Sequence, residues 1–138
     1  MYPWVTPGGS EMYFSRRTKE GWKLFIARGP MPGPIGQAKE VGFSAGFHRA
    51  TLSGQSLTMY LQGPLENGRI GIFRSRRAKP GQAWSKPEPV SGLNHPESKL
   101  GDMQPALSYD GLRLYFVSDR PGGQGGLDIW YAPTSQLK

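Results

Sequence analysis

The chain has no cysteine, so disulfide staples and thiolate metal sites are excluded. Histidine is almost as scarce. His48 and His95 stand alone in separate regions, without the HxH or HExxH spacing that zinc requires; both read as loop or strand-end residues. No apolar run approaches the ~18 residues of a membrane-spanning helix, so no membrane insertion is expected. The opening Met1-Tyr2-Pro3-Trp4 has no charged region followed by an apolar stretch, so no signal peptide is expected there. Acidic residues are few, 10 against 17 Lys and Arg, for a net charge of +7. They fall singly in turns and loops, and nothing selects a carboxylate pair for glycoside chemistry. No serine occupies a G-x-S-x-G elbow. The glycine clusters Gly8-Gly9 and Gly122-Gly123-Gln124-Gly125-Gly126 lead into no helix, so they are hairpin material rather than phosphate loops. The inventory predicts a protein that is not an enzyme, with no cofactor, no metal and no catalytic residue.

Glycine and proline, by contrast, are abundant: 20 and 13 residues, spread along the chain, with 12% aromatics. Turn formers distributed among Val, Ile, Leu, Phe, Tyr and Trp indicate many short strands. The aromatic content argues against disorder, because it supplies apolar surface to offset ordering entropy. The positive charge is uneven. Residues 1–101 hold 14 Lys and Arg against 6 Asp and Glu, whereas residues 102–138 hold 3 against 4. Much of the excess sits around Arg16 and Arg17 and around Arg74, Arg76 and Arg77. The plain interpretation is solvated turns and strand edges, where cations discourage edge-to-edge pairing. The sharper one is a face for an anionic ligand, nucleic acid or acidic polysaccharide, flanked by Trp22, Trp84 and Trp130. Those tryptophans suit a sheet core better, and nucleic acid is not the expected partner.

Three segments repeat. Val5 to Phe14, Leu52 to Leu61 and Leu107 to Phe116 each pass from a strand end through a tight turn into a strand with an apolar-Tyr-apolar centre. Tyr13, Tyr60 and Tyr115 are equivalent, at offsets of 47 and 55 residues, near the spacing of propeller blades. Trp22 to Ala27, Ile70 to Ser75 and Leu127 to Ala132 supply the next strand of each unit. Gln37 to Val41 and Trp84 to Val90 read as outer strands of the first two, and Pro87 and Pro89 place the latter on a sheet edge. Each unit is expected to be a four-stranded antiparallel meander, approximately 2–46, 47–101 and 102–138, with the third lacking its outer strand.

The third unit resembles the PD40 (WD40-like) repeat of TolB-type β-propellers. It carries Pro105, then Ser108-Tyr109-Asp110-Gly111 as the turn and Leu114-Tyr115-Phe116 as the strand. Ser118-Asp119-Arg120 forms the corner, and Asp128-Ile129-Trp130 opens the next strand. The glycine-rich Arg120 to Gly126 is similar to repeats of bacterial envelope proteins, which implies a periplasmic or envelope location for a parent protein. The first two units depart from the pattern, with Pro7-Gly8-Gly9 and Ser53-Gly54-Gln55-Ser56 at the turn, and the second loses the corner at Gln62-Gly63-Pro64. Asp110, Gly111, Ser118, Asp119, Arg120 and Asp128 are read as structural, with Arg120 paired to Asp128 or Asp119 paired to an arginine.

Such propellers have six or more blades, so three would form half of a six-bladed ring. One blade face covers roughly 350 Å², more bare surface at each end than soluble monomers usually leave. Two chains joined at both seams would bury about 1,400 Å², a standard-sized interface. The expectation is a non-enzymatic scaffold or binding module that closes as a two-fold homodimer. A segment of a longer propeller, or an engineered half-propeller, is the alternative. Resemblance implies that a protein or peptide partner binds at the central channel, where Trp4, His48, Arg49 and Gln104 enter the innermost strands.

Overall fold

The computed structural model describes residues 2–29 and 36–138. Among these the chain is all-β: eleven strands and one 3-10 turn at Thr134–Gln136, with no α-helix. The first sheet holds β1 (Trp4–Val5), β2 (Glu11–Thr18), β3 (Gly21–Arg28) and β4 (Lys39–Glu40). The second holds β5 (His48–Leu52), β6 (Thr58–Pro64), β7 (Ile70–Arg76) and β8 (Glu88–Pro89). The third holds β9 (Asp102–Leu107), β10 (Arg113–Ser118) and β11 (Asp128–Pro133). Strand order follows chain order in every sheet, and all pairings within the sheets are antiparallel. The three meanders expected from the repeat are therefore present, the third one strand short.

The tight turn of each unit uses one device despite its changing sequence. Gly9, Ser56 and Gly111 adopt positive φ of 68°, 56° and 72°. Each donates its N–H to the carbonyl three residues back, on Thr6, Ser53 and Ser108. Glycine reaches this left-handed conformation freely; Ser56 does so against its Cβ.

Burial shows how the sheets stack. Tyr13, Leu24 and Ile26 of the first blade pack in one cluster with Met59, Leu61 and Phe73 of the second. From the other face of the second, Tyr60 and Ile72 join Leu114 and Phe116 of the third. The middle blade is thus covered on both sides, and β6 has five consecutive buried residues from Met59 to Gly63. Strand β10 alternates, because one of its faces has no neighbour. The repeated tyrosine records the difference: Tyr13 is 1% exposed, Tyr60 6% and Tyr115 37%.

The outer strands are shorter than the sequence implies. Only Lys39–Glu40 and Glu88–Pro89 form strands, although Val41 and Val90 extend the pairing by donating to Leu24 and Ile72 carbonyls at 3.0 Å. Trp84 leaves the rim for the interior, edge-on to Tyr13 at 6.3 Å. Because Val90 points its amide at β7, Pro87 and Pro89 occupy the alternate positions whose amides would face outward.

Candidate functional site

The innermost strands of the three blades meet around a cavity of about 290 Å³, lined among others by Tyr2 and Trp4, Arg49 and Thr51, and Gln104 and Ala106. Its size is at the lower end for ligand sites. A recurrent backbone feature builds it. Tyr2, Arg49 and Gln104 have φ of 47°, 53° and 54°, and each lies eleven residues ahead of the repeated tyrosine. In β5 and β9 this residue coincides with a shift in strand register, so it is a β-bulge. A non-glycine residue held left-handed costs about 1–3 kcal/mol, and such strain gathers at sites where the chain must present something.

Arg49 is the centre of the cavity's polar chemistry. Its guanidinium lies 3.8 Å from the Tyr2 ring centre and donates from Nη2 to the Tyr2 hydroxyl. Among the described residues one buried side-chain polar atom lacks a partner, and it is Arg49 Nε. Gln104 is exposed, while its amide donates to Gln62 Oε1 at 3.0 Å.

Three of the four channel candidates, Trp4, Arg49 and Gln104, therefore line one cavity. His48 does not. Its ring stacks on Trp22 at 5.4 Å, and Nδ1 donates to Gly46 O at 2.9 Å. Nε2 then accepts from Gln62 Nε2 at 3.2 Å, leaving Gln62 Oε1 for the Gln104 amide. Burial, against the pull of the Gly46 carbonyl and with the help of the Arg49 charge, holds the imidazole below its ordinary pKa of 6.5. Sequence reasoning missed Tyr2 and Gln62. The constant spacing from Tyr13, Tyr60 and Tyr115 is the signal that finds both.

The arginine clusters do not form one surface. Arg77 is buried: its Nη2 pairs with Glu11 Oε2 of the first blade at 3.2 Å, its Nε donates to Ser56 O, and its guanidinium lies 4.4 Å from the Trp84 ring centre. Burial works to raise the Glu11 pKa, but Arg28 and Arg77 together outweigh it and hold the carboxyl low. Arg74 reaches the Leu137 carbonyl at 3.2 Å. Arg16 spreads over Phe14 and Phe25 on the uncovered face of the first blade. Arg17 and Arg76 remain exposed.

The corner residues of the third unit hold the fold together. Arg120 takes neither Asp128 nor an Asp119 pairing. It donates to Asp102 Oδ1 at 2.6 Å and to Leu93 O at 2.7 Å, over Phe116 and Trp130. Ser118 Oγ accepts from the Arg120 amide and Nε. Asp119 accepts from the Ser98 hydroxyl and the Lys99 and Leu100 amides. Asp128 accepts from the Gln124 and Gly125 amides. Asp110 accepts from the Ser108 hydroxyl and the Leu112 amide, framing the turn at Gly111. A wider cavity of about 830 Å³ lies at the rim, between the Pro64–Asn67 hairpin and Lys86–Pro89, and is lined by Glu66, Asn67, Lys86 and Glu88 among others; it draws on the second blade alone and includes none of the left-handed residues. Among the described residues no group of three His, Asp or Glu could hold a metal ion, and no helix is long and apolar enough to cross a membrane.

Antiparallel meanders stacked face to face, with their first strands around a common cavity, define blades of a β-propeller. No family model and no curated protein matches the chain. Among solved structures it is similar to TolB from Acinetobacter baumannii, with a TM-score of 0.69 at 15% identity over 99% of this chain. The match spans 30% of the TolB chain, under a third of its length. The fold is TolB-like.

Proposed function

We propose that the protein is a non-enzymatic propeller scaffold that binds a protein or peptide partner at the cavity between its innermost strands. The observation that carries this is the convergence there of three strained, left-handed residues, one per blade, with the unpartnered Nε of Arg49. Two chains join through their bare faces into a six-bladed ring that completes the channel. The TolB-like fold supports the scaffold reading, and a bacterial envelope location is proposed with it. Binding of polyanions by the basic loops gains no support from the placement of Arg74 and Arg77.

A library of linear peptides displayed on phage and selected on the immobilised protein tests the site. Selected peptides are expected to lose at least about tenfold in affinity with Arg49→Ala, since a hydrogen bond to a charged group contributes about 1.5–3 kcal/mol, to lose about two- to tenfold with Gln104→Ala, where a neutral bond contributes about 0.5–1.5 kcal/mol, and to be indifferent to Arg76→Ala. Peptides that bind all three variants as tightly as the wild type would place the site elsewhere.

A further inference from the structure

The two seams inside the chain share a bond. In the second blade the left-handed Arg49 donates its N–H to Ser15 Oγ of the first blade at 2.9 Å. In the third, Gln104 donates its N–H to Gln62 Oε1 of the second at 3.0 Å. Ser15 and Gln62 occupy the same place in their units, two residues past Tyr13 and Tyr60. The bulge turns the amide out of its own ladder and toward the preceding blade. Both acceptors are buried, where an unmade hydrogen bond is costly.

The third blade breaks this pattern on its outgoing side. Two residues past Tyr115 stands Val117, which has no acceptor. It shares a strand face with Tyr115, opposite Ile129 and Tyr131 of β11, on the side without a neighbour. The first blade keeps the incoming half, because Tyr2 already has the left-handed conformation of Arg49 and Gln104.

We propose that the Tyr115–Ile129 face docks the first blade of a second copy, and that the seam so formed lacks the inter-blade latch because of Val117. The inference rests on the two-chain reading above. The two bare faces of one chain are the two halves of a seam. Tyr115 repeats the tyrosines that cover the second and third blades from the preceding side. Phe14 stands where those blades present the buried Leu61 and Phe116. A head-to-tail contact of this kind closes into a ring when the rotation permits. The inter-chain seam is held by apolar contact without the latch, so it is the seam at which the ring opens.

The decisive variant is Val117→Gln, which installs the residue of the second blade. In sedimentation equilibrium its dimer dissociation constant is expected to fall roughly thirtyfold, the effect of two net hydrogen bonds in a ring with two such seams. Ile129→Lys should prevent dimerisation. A folded Val117→Gln protein that associates no more tightly than wild type would overturn the latch. If neither protein associates, docking of a second copy is overturned, and the latch is judged within the chain. There, Ser15→Ala and Gln62→Ala should speed hydrogen exchange about tenfold at the amides of Arg49 and Gln104 respectively. The amide of Leu107, held by Thr51 Oγ1 at 3.1 Å, should stay protected. Unchanged exchange at Arg49 and Gln104 would refute the latch itself.

Discussion

Ser56 shows how a single residue can depart from a repeat without breaking it. It holds the left-handed turn that Gly9 and Gly111 hold in the other blades. For a residue with a Cβ that conformation costs about 1–2 kcal/mol, while glycine adds about 0.5–1 kcal/mol of unfolded-state entropy. Ser56→Gly is therefore expected to stabilise the protein by about 0.5–1 kcal/mol, seen as a higher urea midpoint at unchanged slope. A lower midpoint would show that the serine side chain contributes more than the turn strain removes. His48 gives a second expectation. Its folded pKa lies below 6.5, so the unfolded chain binds its proton more readily. Its contribution to stability is complete above about pH 6.5 and is lost as pH falls through the folded value. A protonated ring would also turn an N–H on the Gln62 amide that now donates to it. Thermal unfolding between pH 7.5 and 5 should show a decline that His48→Gln flattens; the same slope in both proteins would remove His48 as its source. The sequence does not reveal this role, because Trp22, Gly46 and Gln62 converge on the ring only after three strands are in place.

Among the elements, the central strands were the most legible. An apolar residue on either side of Tyr13, Tyr60 and Tyr115, with turn residues ahead, is enough to place β2, β6 and β10. The outer strands were not, since β4 and β8 are two-residue pairings whose residues carry little strand preference. Of the channel residues, Trp4, Arg49 and Gln104 could be anticipated from their place at the start of inner strands; the left-handed backbone that unites them could not. Arg77 looked like part of a basic patch because its partner Glu11 is 66 residues away and on another blade. The Arg120 pairing was hidden in the same manner. Asp102 is 1% exposed, and it accepts from Arg120 and, at 2.8 Å, from the His95 amide. Removing one member of such an enclosed pair costs about 3–5 kcal/mol. Asp102→Ala should lower stability by that amount, and Asp128→Ala, half-buried at the start of β11 and bonded only to amides of the preceding loop, by about 1 kcal/mol or less. Equal losses in chemical denaturation would show that the enclosed pair does not anchor the third blade.

At the scale of the whole molecule, the fold is set by how many faces each sheet covers. The middle blade is buried on both sides, and its neighbours expose the surfaces on which it would itself be covered. A closed two-chain ring should scatter light with twice the 15.2 kDa mass of one chain; a mass of one chain at micromolar concentration would reject it. Gly101 tests the stacking inside the chain. At φ 103°, an added Cβ would meet the Ile70 carbonyl oxygen at 1.9 Å, so Gly101→Ala should cost about 3 kcal/mol or more. A melting curve like that of wild type would mean that the second and third blades can separate there without penalty.

The prolines of β8 have a consequence for growth in the other direction. With Pro87 and Pro89 at the outward positions, the second sheet offers acceptors but few donors along its border, and β4 closes the first with a two-residue charged strip. Strand β11, six residues long and last in its sheet, carries no such guard. Among the outer borders of the three sheets, an extended peptide or a misfolding neighbour therefore finds its longest starting line between Asp128 and Pro133.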